Sequence, residues 1–193
     1  SGCFNAELFS QLYPLNVALG GIVTKTVKNT PVPGNAQQRT VELPGIGMLN
    51  SIGLQGPGLD YSLEADVPNL AEHHLPIILS ISATSFDEFT AMAEKIAAHP
   101  NQQHINAIEV NLSCPNVEEG GVHFGISPDG VKGAVNAVVN ACNQPVWAKL
   151  TPNVTDIVTL GDAAVQGGAS GLVAINTVMG AAIDIKTRKP FIP

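Results

Sequence analysis

Residues 76–98 read PIILSISATSFDEFTAMAEKIAA and contain one complete strand–helix unit. The run 76–82 is almost entirely apolar and β-branched, which is typical of a parallel strand that is covered on both faces. Ser85 and Glu88 have the spacing of a capping box, in which serine and glutamate side chains bind the first free amides of a helix. The sequence therefore predicts a strand followed directly by a helix over residues 89–98.

The same alternation recurs along the chain. Four further apolar runs predict strands, at 20–25 (GGIVTK), 107–112 (AIEVNL), 145–150 (PVWAKL) and 171–176 (GLVAIN). Helices are predicted at 6–13, 57–70 and 131–141, and from Thr155 or Asp156 to about Gln166. Strands that alternate with helices form a parallel sheet with right-handed crossovers, so we predict an α/β fold. The Pro/Gly-rich stretch 26–49 has no helical periodicity and is long enough to predict a functional loop, such as a lid.

Composition excludes several classes of protein. With 193 residues the chain suits one domain but is short for a complete (β/α)₈ barrel of about 250 residues. Apolar residues make up 45% and charged residues 13%, which excludes intrinsic disorder. A net charge of −7 with two arginines disfavours nucleic-acid binding, and no apolar run reaches the ~20 residues of a membrane span.

The three cysteines, Cys3, Cys114 and Cys142, are too far apart to suggest a disulfide framework, which favours a reducing compartment and a cytoplasmic location. No cysteine or histidine spacing predicts a metal site. The chain begins Ser-Gly-Cys instead of Met, so we expect its natural start to lie upstream.

Polar side chains are concentrated where the predicted strands end. These positions are Lys25, Asn111, Lys149 and Asn176, with Cys114 shortly after Asn111. Active sites of parallel α/β folds lie at this edge of the sheet. A single asparagine there is more often a turn residue, but their recurrence on successive strands favours a site. Because an ammonium group is almost never buried unpaired, Lys149 is expected to have a charged partner.

The run NLSCPN at 111–116, followed by VEEGGVHFG, closely resembles the class 1 dihydroorotate dehydrogenases. Further matches are Ser1-Gly2, TKT at 24–26, MLNSIGL at 48–54, KLTPN at 149–153 and INT at 175–177. The resemblance covers essentially the whole chain. It implies a (β/α)₈ TIM barrel of which about five units, strands 2–6, are present, so that 1–193 is a partial, single FMN-binding domain. The family's FMN phosphate site then lies after Pro193.

The subclass is also suggested by the sequence. VEEGGVHFG and the stretch AIDIKTRKP at 182–190 resemble class 1B, the NAD-linked enzymes. This resemblance implies a homodimer of catalytic subunits with an electron-transfer subunit, which carries FAD and a [2Fe–2S] cluster and passes electrons to NAD⁺.

The activity implied by the family is oxidation of (S)-dihydroorotate to orotate in de novo pyrimidine biosynthesis. Cys114 is then the base that removes the C5 proton, while hydride passes to FMN. The resemblance assigns substrate binding to Lys25, Asn50, Asn111, Asn116, Asn176 and Thr177. It assigns FMN binding to Ser1, Gly2, Lys25, Thr26, Ser80, Asn111, Lys149 and Ile175.

Two alternatives stay open. The related dihydropyrimidine dehydrogenases share AKLTPNVTDI, found here at 148–157, but have histidine where this chain has Asn116. The chain could also be an inactive or flavin-free fragment of a barrel. The reason is that the strands that bind the FMN phosphate in this family are expected after Pro193.

Overall fold

Five strands lie side by side in one parallel sheet in the computed structural model, which describes residues 19–113 and 124–192. They are β1 (Ile22–Val23), β4 (Ile77–Ile81), β5 (Ile105–Asn111), β6 (Val146–Lys149) and β7 (Gly171–Val173). Their order in the sheet is β1-β4-β5-β6-β7, which follows the order of the chain. All five predicted strands are confirmed, although most are shorter than the apolar runs that predicted them.

Helices connect successive strands of this sheet. The first helical segment consists of α1 (Leu59–Tyr61), a π-helical turn (Ser62–Asp66) and α2 (Val67–Ala71). The longer helices are α3 (Phe86–Ala98), α4 (Pro128–Val139) and α5 (Ile157–Gln166), and 3₁₀ turns occupy Pro100–His104 and Phe124–Ile126. Four of the predicted helices are thus confirmed, and the one at 6–13 lies outside the described residues. Within the described part of the chain, no helix has the length and apolarity needed to cross a membrane.

The two faces of the sheet differ in chemistry. Ile77, Leu79 and Ile81 of β4 belong to one apolar core together with Phe89 of α3 and Val131 of α4. Burying each such side chain contributes roughly 1.5–3 kcal/mol. Successive side chains of a strand point to opposite faces, so Ser80 lies on the face away from this core, as do Glu109 and Asn111 on β5. The helices therefore cover one face, and the other face holds polar residues.

Two hairpins lie outside the parallel sheet. β2 (Thr40–Leu43) pairs antiparallel with β3 (Gly47–Asn50), inside the stretch predicted as a long loop. β8 (Ile183–Asp184) pairs antiparallel with β9 (Lys189–Pro190). The sequence prediction was right about the absence of a helix over 26–49 but missed this pairing. The missed signal was a glycine-containing turn between two four-residue runs, which is typical of a short hairpin.

Two of the longer helices begin three residues before their predicted starts, each directly after a serine that caps it. The Ser85 hydroxyl accepts a hydrogen bond from the Glu88 amide at 3.0 Å, and the Ser127 hydroxyl accepts one from the Gly130 amide at 3.1 Å. The capping box differs from its usual form in one respect. The Glu88 carboxylate accepts from the Thr84 amide and hydroxyl, both at 2.7 Å.

The Asp156 cap of α5 gives a pH-dependent prediction. Hydrogen bonds from Thr159, through its hydroxyl and its amide, lower the pKa of this exposed carboxyl. A lowered folded-state pKa stabilises the fold above the unfolded-state value, and this contribution is lost as the pH falls through the folded-state pKa. Asn at this position keeps an oxygen for capping but has no charge. We expect Asp156→Asn to unfold at lower urea concentration than the original protein at pH 7, and the difference to narrow as the pH approaches about 3. A difference that stays constant with pH contradicts this assignment.

Candidate active site

Polar side chains from neighbouring strands meet at the carboxyl end of the sheet. Asn111 and Lys149 are the last residues of β5 and β6 and lie opposite each other in register. Ser80 of β4 lies opposite Glu109 of β5. Thr26 follows β1, and Asn176 follows β7. The sheet therefore brings together the strand ends that the sequence singled out.

A chain of hydrogen bonds joins five of these residues, and we call it the amide–hydroxyl chain. The Asn176 amide donates to Asn111 Oδ1 at 3.0 Å, and Asn111 Nδ2 donates to Thr26 Oγ1 at 3.2 Å. Thr26 Oγ1 and Ser80 Oγ are 2.8 Å apart, and Ser80 Oγ donates to Glu109 Oε1 at 2.6 Å. Thr26, Ser80, Asn111 and Glu109 are all buried, so these polar groups depend on one another for satisfaction.

Lys149 lies beside the same carboxylate. Its Nζ atom is 3.9 Å from Glu109 Oε1, and the two side chains are 13% and 2% exposed. This ion pair confirms the prediction that Lys149 has a charged partner. The sequence analysis did not name Glu109 as that partner. The available signal was an acidic residue inside an apolar strand, two positions before Asn111 and hence on the same face.

Lys25 is tied to a loop. Its ammonium donates to the Gln55 carbonyl. The Gln55 side chain bonds to Arg39, whose guanidinium also donates to the Asn35 carbonyl at 3.0 Å. Lys25 therefore connects the end of β1 to the loop after the first hairpin. Its predicted contacts with substrate and FMN stay predictions.

The segment after β7 is held by Asn153. Asn153 Nδ2 donates to the Thr177 carbonyl at 3.2 Å, and Asn153 Oδ1 accepts from the Met179 amide at 2.8 Å. Thr177 itself donates its amide to Asn176 Oδ1 at 2.7 Å. The loop after β6 therefore fixes the residues that follow β7.

Other predicted site residues lie around this edge or outside the description. Asn50 is exposed at the end of β3, opposite Thr40, and Ile175 is 45% exposed after β7. A Cβ atom on Gly180 would lie 3.3 Å from Leu49, so the first hairpin approaches the segment after β7. The remaining predicted residues fall outside the described residues, namely Ser1, Gly2, Cys114 and Asn116.

The orientation of the two asparagine amides is fixed by the backbone. The Ser113 amide donates to Asn111 Oδ1 at 3.1 Å, and the Thr177 amide donates to Asn176 Oδ1. A backbone N–H can only donate, so both oxygens are acceptors and both NH₂ groups are identified. Each NH₂ has two hydrogens and uses one in the chain. The site can therefore offer donors and one cation to a ligand with carbonyl or carboxylate oxygens.

Two buried hydroxyls at this edge of the sheet have no hydrogen-bond partner among the described residues. They are Ser82 Oγ, just after β4, and Ser113 Oγ, just after β5. Buried hydroxyls are normally satisfied, so both are suited to a ligand or to further polypeptide at this edge. Within 19–113 and 124–192, no group of three His, Cys, Asp or Glu side chains is arranged to hold a metal ion.

Comparisons of the sequence with a family model and with curated proteins point to the same family. The family model described as dihydroorotate dehydrogenase matches residues 1–193. The chain is 44% identical over 193 residues to "Dihydroorotate dehydrogenase B (NAD(+)), catalytic subunit" of Geobacillus kaustophilus, covering 100% of this chain and 60% of that protein. It is 48% identical over 177 residues to "Dihydroorotate dehydrogenase A (fumarate)" of Lactiplantibacillus plantarum, covering 91% and 57%. The chain thus spans about three fifths of the length of the curated relatives it matches.

Proposed function

This chain belongs to the dihydroorotate dehydrogenase family, and we propose that it oxidises (S)-dihydroorotate to orotate with FMN as cofactor. The observation that supports the proposal most directly is the buried polar edge, where Asn111, Asn176 and Lys149 lie together. Dihydroorotate has a ring with an imide group and carries a carboxylate, and this edge offers amide donors and a cation to such oxygens. We further propose that the five-stranded sheet is part of a (β/α)₈ barrel, with 1–193 as a partial FMN-binding domain.

The residues at the edge suit a flavin as well. The flavin ring has carbonyl, imide and ring-nitrogen positions along one side, and the edge offers a hydroxyl, an amide and an ammonium group. The unsatisfied Ser82 and Ser113 hydroxyls are consistent with a ligand that covers this surface. FMN, when bound, supplies the acceptor for the hydride. We propose that it is held by Ser1, Gly2, Lys25, Thr26, Ser80, Asn111, Lys149 and Ile175.

The chain's own residues then have distinct roles. Lys149 stabilises negative charge that develops at the edge, as a preorganised cation does in a site with little water. Cys114 takes the C5 proton of the substrate, because a thiolate of suitable pKa is an effective base at neutral pH. Substrate is held by Lys25, Asn50, Asn111, Asn116, Asn176 and Thr177.

The electron acceptor is a separate part of the proposal. We infer that electrons pass through a partner subunit with FAD and a [2Fe–2S] cluster to NAD⁺, and that the catalytic chains form a homodimer in the cytoplasm. The match to the relatives named "B (NAD(+)), catalytic subunit" supports NAD⁺ as the acceptor and the presence of a further subunit. Fumarate is the second candidate, because a relative named "A (fumarate)" is 48% identical. Anaerobic assays of the reduced protein with fumarate, and with NAD⁺ plus an electron-transfer subunit, separate the two.

A spectral titration tests the activity itself. The purified protein is incubated with FMN and passed through a desalting column, and the flavin spectrum is then recorded with orotate, with uracil and with thymine. We expect retained FMN and a spectral shift with orotate alone. A response to uracil instead supports a dihydropyrimidine dehydrogenase-like enzyme. A colourless protein that retains no FMN identifies a flavin-free fragment.

A cysteine substitution tests the proposed base. We expect Cys114→Ser to slow reduction of the bound flavin by dihydroorotate on the order of 100-fold near neutral pH, because a hydroxyl is a much weaker base. Stopped-flow absorbance under anaerobic conditions measures this rate. Cys142→Ser is the matched control, since Cys142 is half-buried and its thiol donates to the Val138 carbonyl at the end of α4. Equal rates for the original protein and Cys114→Ser contradict the role.

A further inference from the structure

The amide–hydroxyl chain has a direction that the protons determine. A serine hydroxyl has one proton, and that of Ser80 is donated to Glu109 at 2.6 Å. Ser80 Oγ must then accept at its 2.8 Å contact, so Thr26 is the donor there. Thr26 Oγ1 in turn accepts from Asn111 Nδ2, and Asn111 Oδ1 accepts from Asn176. Every donor therefore points along the chain toward one carboxylate.

Glu109 is where this chain ends, and it lies too deep to be a ligand for substrate. It is 1% exposed and lies two residues before Asn111 on β5, away from the end of the sheet. A carboxylate accepts hydrogen bonds and cannot donate one. The backbone already orients both asparagine amides, so the Glu109 carboxylate is what fixes the direction of the two hydroxyls, Thr26 and Ser80.

Glu109 also faces the ammonium group of Lys149, which lies at the end of β6. At 3.9 Å the pair is close enough for strong attraction but longer than a hydrogen bond, so the Lys149 donors are not committed to Glu109. Of the strands that flank β6, β5 contributes Glu109, and β7 has no charged residue within Gly171–Val173. The carboxylate therefore attracts the Lys149 ammonium group without a direct hydrogen bond to it.

We propose that Glu109 is a positioning residue, whose buried carboxylate sets the direction of the Thr26 and Ser80 hydroxyls and draws the Lys149 ammonium group to its place at the edge of the sheet. It acts through Lys149 and through Thr26, which contacts Asn111, and it does not touch the ligand. The importance of this role for orotate rests on the proposed function. The effect of Glu109 on Lys149 does not, and it can be measured in protein without flavin.

The first experiment compares the reactivity of lysines in flavin-free protein. A pulse of acetic anhydride at pH 8 modifies neutral amines, and peptide mass spectrometry quantifies Lys149 against exposed Lys132 on α4. Glu109→Gln keeps nearly the same shape, removes the charge and replaces one acceptor oxygen by an NH₂ donor. We expect the Lys149/Lys132 labelling ratio to rise about tenfold, because the neutral glutamine no longer attracts the ammonium group. Circular dichroism verifies that the variant is folded.

Two control variants separate the parts of the role. Glu94→Gln removes an exposed charge from α3 and is expected to leave the labelling ratio unchanged. Ser80→Ala cuts the chain but keeps the Glu109–Lys149 pair, so the ratio is again expected to stay at the original value. Both Ser80→Ala and Glu109→Gln are expected to weaken orotate binding to the flavin-loaded protein at least about fivefold, because the Thr26 hydroxyl that accepts from Asn111 loses its fixed direction.

The outcomes distinguish this proposal from the proposed function. A Lys149 ratio in Glu109→Gln within twofold of the original overturns the role of Glu109, whether or not orotate binds. Unchanged orotate affinity in both variants overturns the directional part. If the ratio rises but the original protein binds neither FMN nor orotate, the charge assignment for Glu109 stands and the dehydrogenase proposal fails.

Discussion

Replacing Lys149 with methionine is expected to lower the free energy of unfolding by about 3 kcal/mol, because the substitution leaves the Glu109 carboxylate buried without its cation. Methionine has a similar length and adapts to irregular surroundings, so loss of packing contributes little. Urea denaturation followed by circular dichroism measures the change. Lys132→Met, at an exposed position of α4, is the matched control and is expected to stay within about 0.5 kcal/mol of the original protein.

A double variant isolates the electrostatic part of this effect. In Glu109→Gln/Lys149→Met neither side chain is charged, so no carboxylate is buried without a partner. We expect this protein to be more stable than Lys149→Met alone, with a coupling energy of at least about 1 kcal/mol. If the two single effects simply add, the ion pair does not stabilise the fold. We also expect Lys149→Met to slow flavin reduction on the order of 100-fold, as loss of one preorganised charge does in other sites.

Replacing Gly125 with alanine is expected to disturb the packing of the protein strongly. A Cβ atom at this position would lie 2.2 Å from the carbonyl oxygen of Leu112, a distance that real contacts do not show. Because Leu112 follows Asn111 and its amide donates to the Lys149 carbonyl at 3.2 Å, any shift displaces the end of β5. The opposing group is backbone and cannot rotate away. We expect a loss of at least about 3 kcal/mol in the free energy of unfolding.

The control for this substitution is another glycine. A Cβ atom at Gly20 meets nothing within 4 Å, so Gly20→Ala is expected to leave the stability nearly unchanged. Weaker binding of orotate by Gly125→Ala, at a temperature where the variant is still folded, would show that the displacement reaches Asn111. A midpoint of unfolding equal to that of Gly20→Ala contradicts the close contact between Gly125 and Leu112.

The parallel sheet could be predicted because local signals and tertiary structure agree there. The buried run 77–81 is apolar except at Ser80, and Ser85 begins the following helix as its side chain predicts. The β8–β9 hairpin could not be predicted with the same method. β8 and β9 are two residues each, and such short strands have no periodicity to detect.

The positions of the site residues could be predicted from the sequence, but the hydrogen bonds and the ion pair that join them could not. Strand ends can be located in a sequence, so Asn111, Lys149 and Asn176 were identified individually. That Lys149 needed a partner followed from the cost of burying an ammonium group. That the partner is Glu109, and that a serine and a threonine link it to two asparagines, depends on the register between strands, and a single sequence does not give that register.

The shortness of β1 and β7 has a consequence for self-association. These two strands form the margins of the parallel sheet within the described residues, and they contain two and three residues. The outer side of a marginal strand has unpaired amide and carbonyl groups, which can recruit a strand from another molecule. Strands of two and three residues offer few such unpaired groups. Leu172, which is 48% exposed on β7, is the point at which such recruitment would begin, and a lysine there would suppress concentration-dependent aggregation.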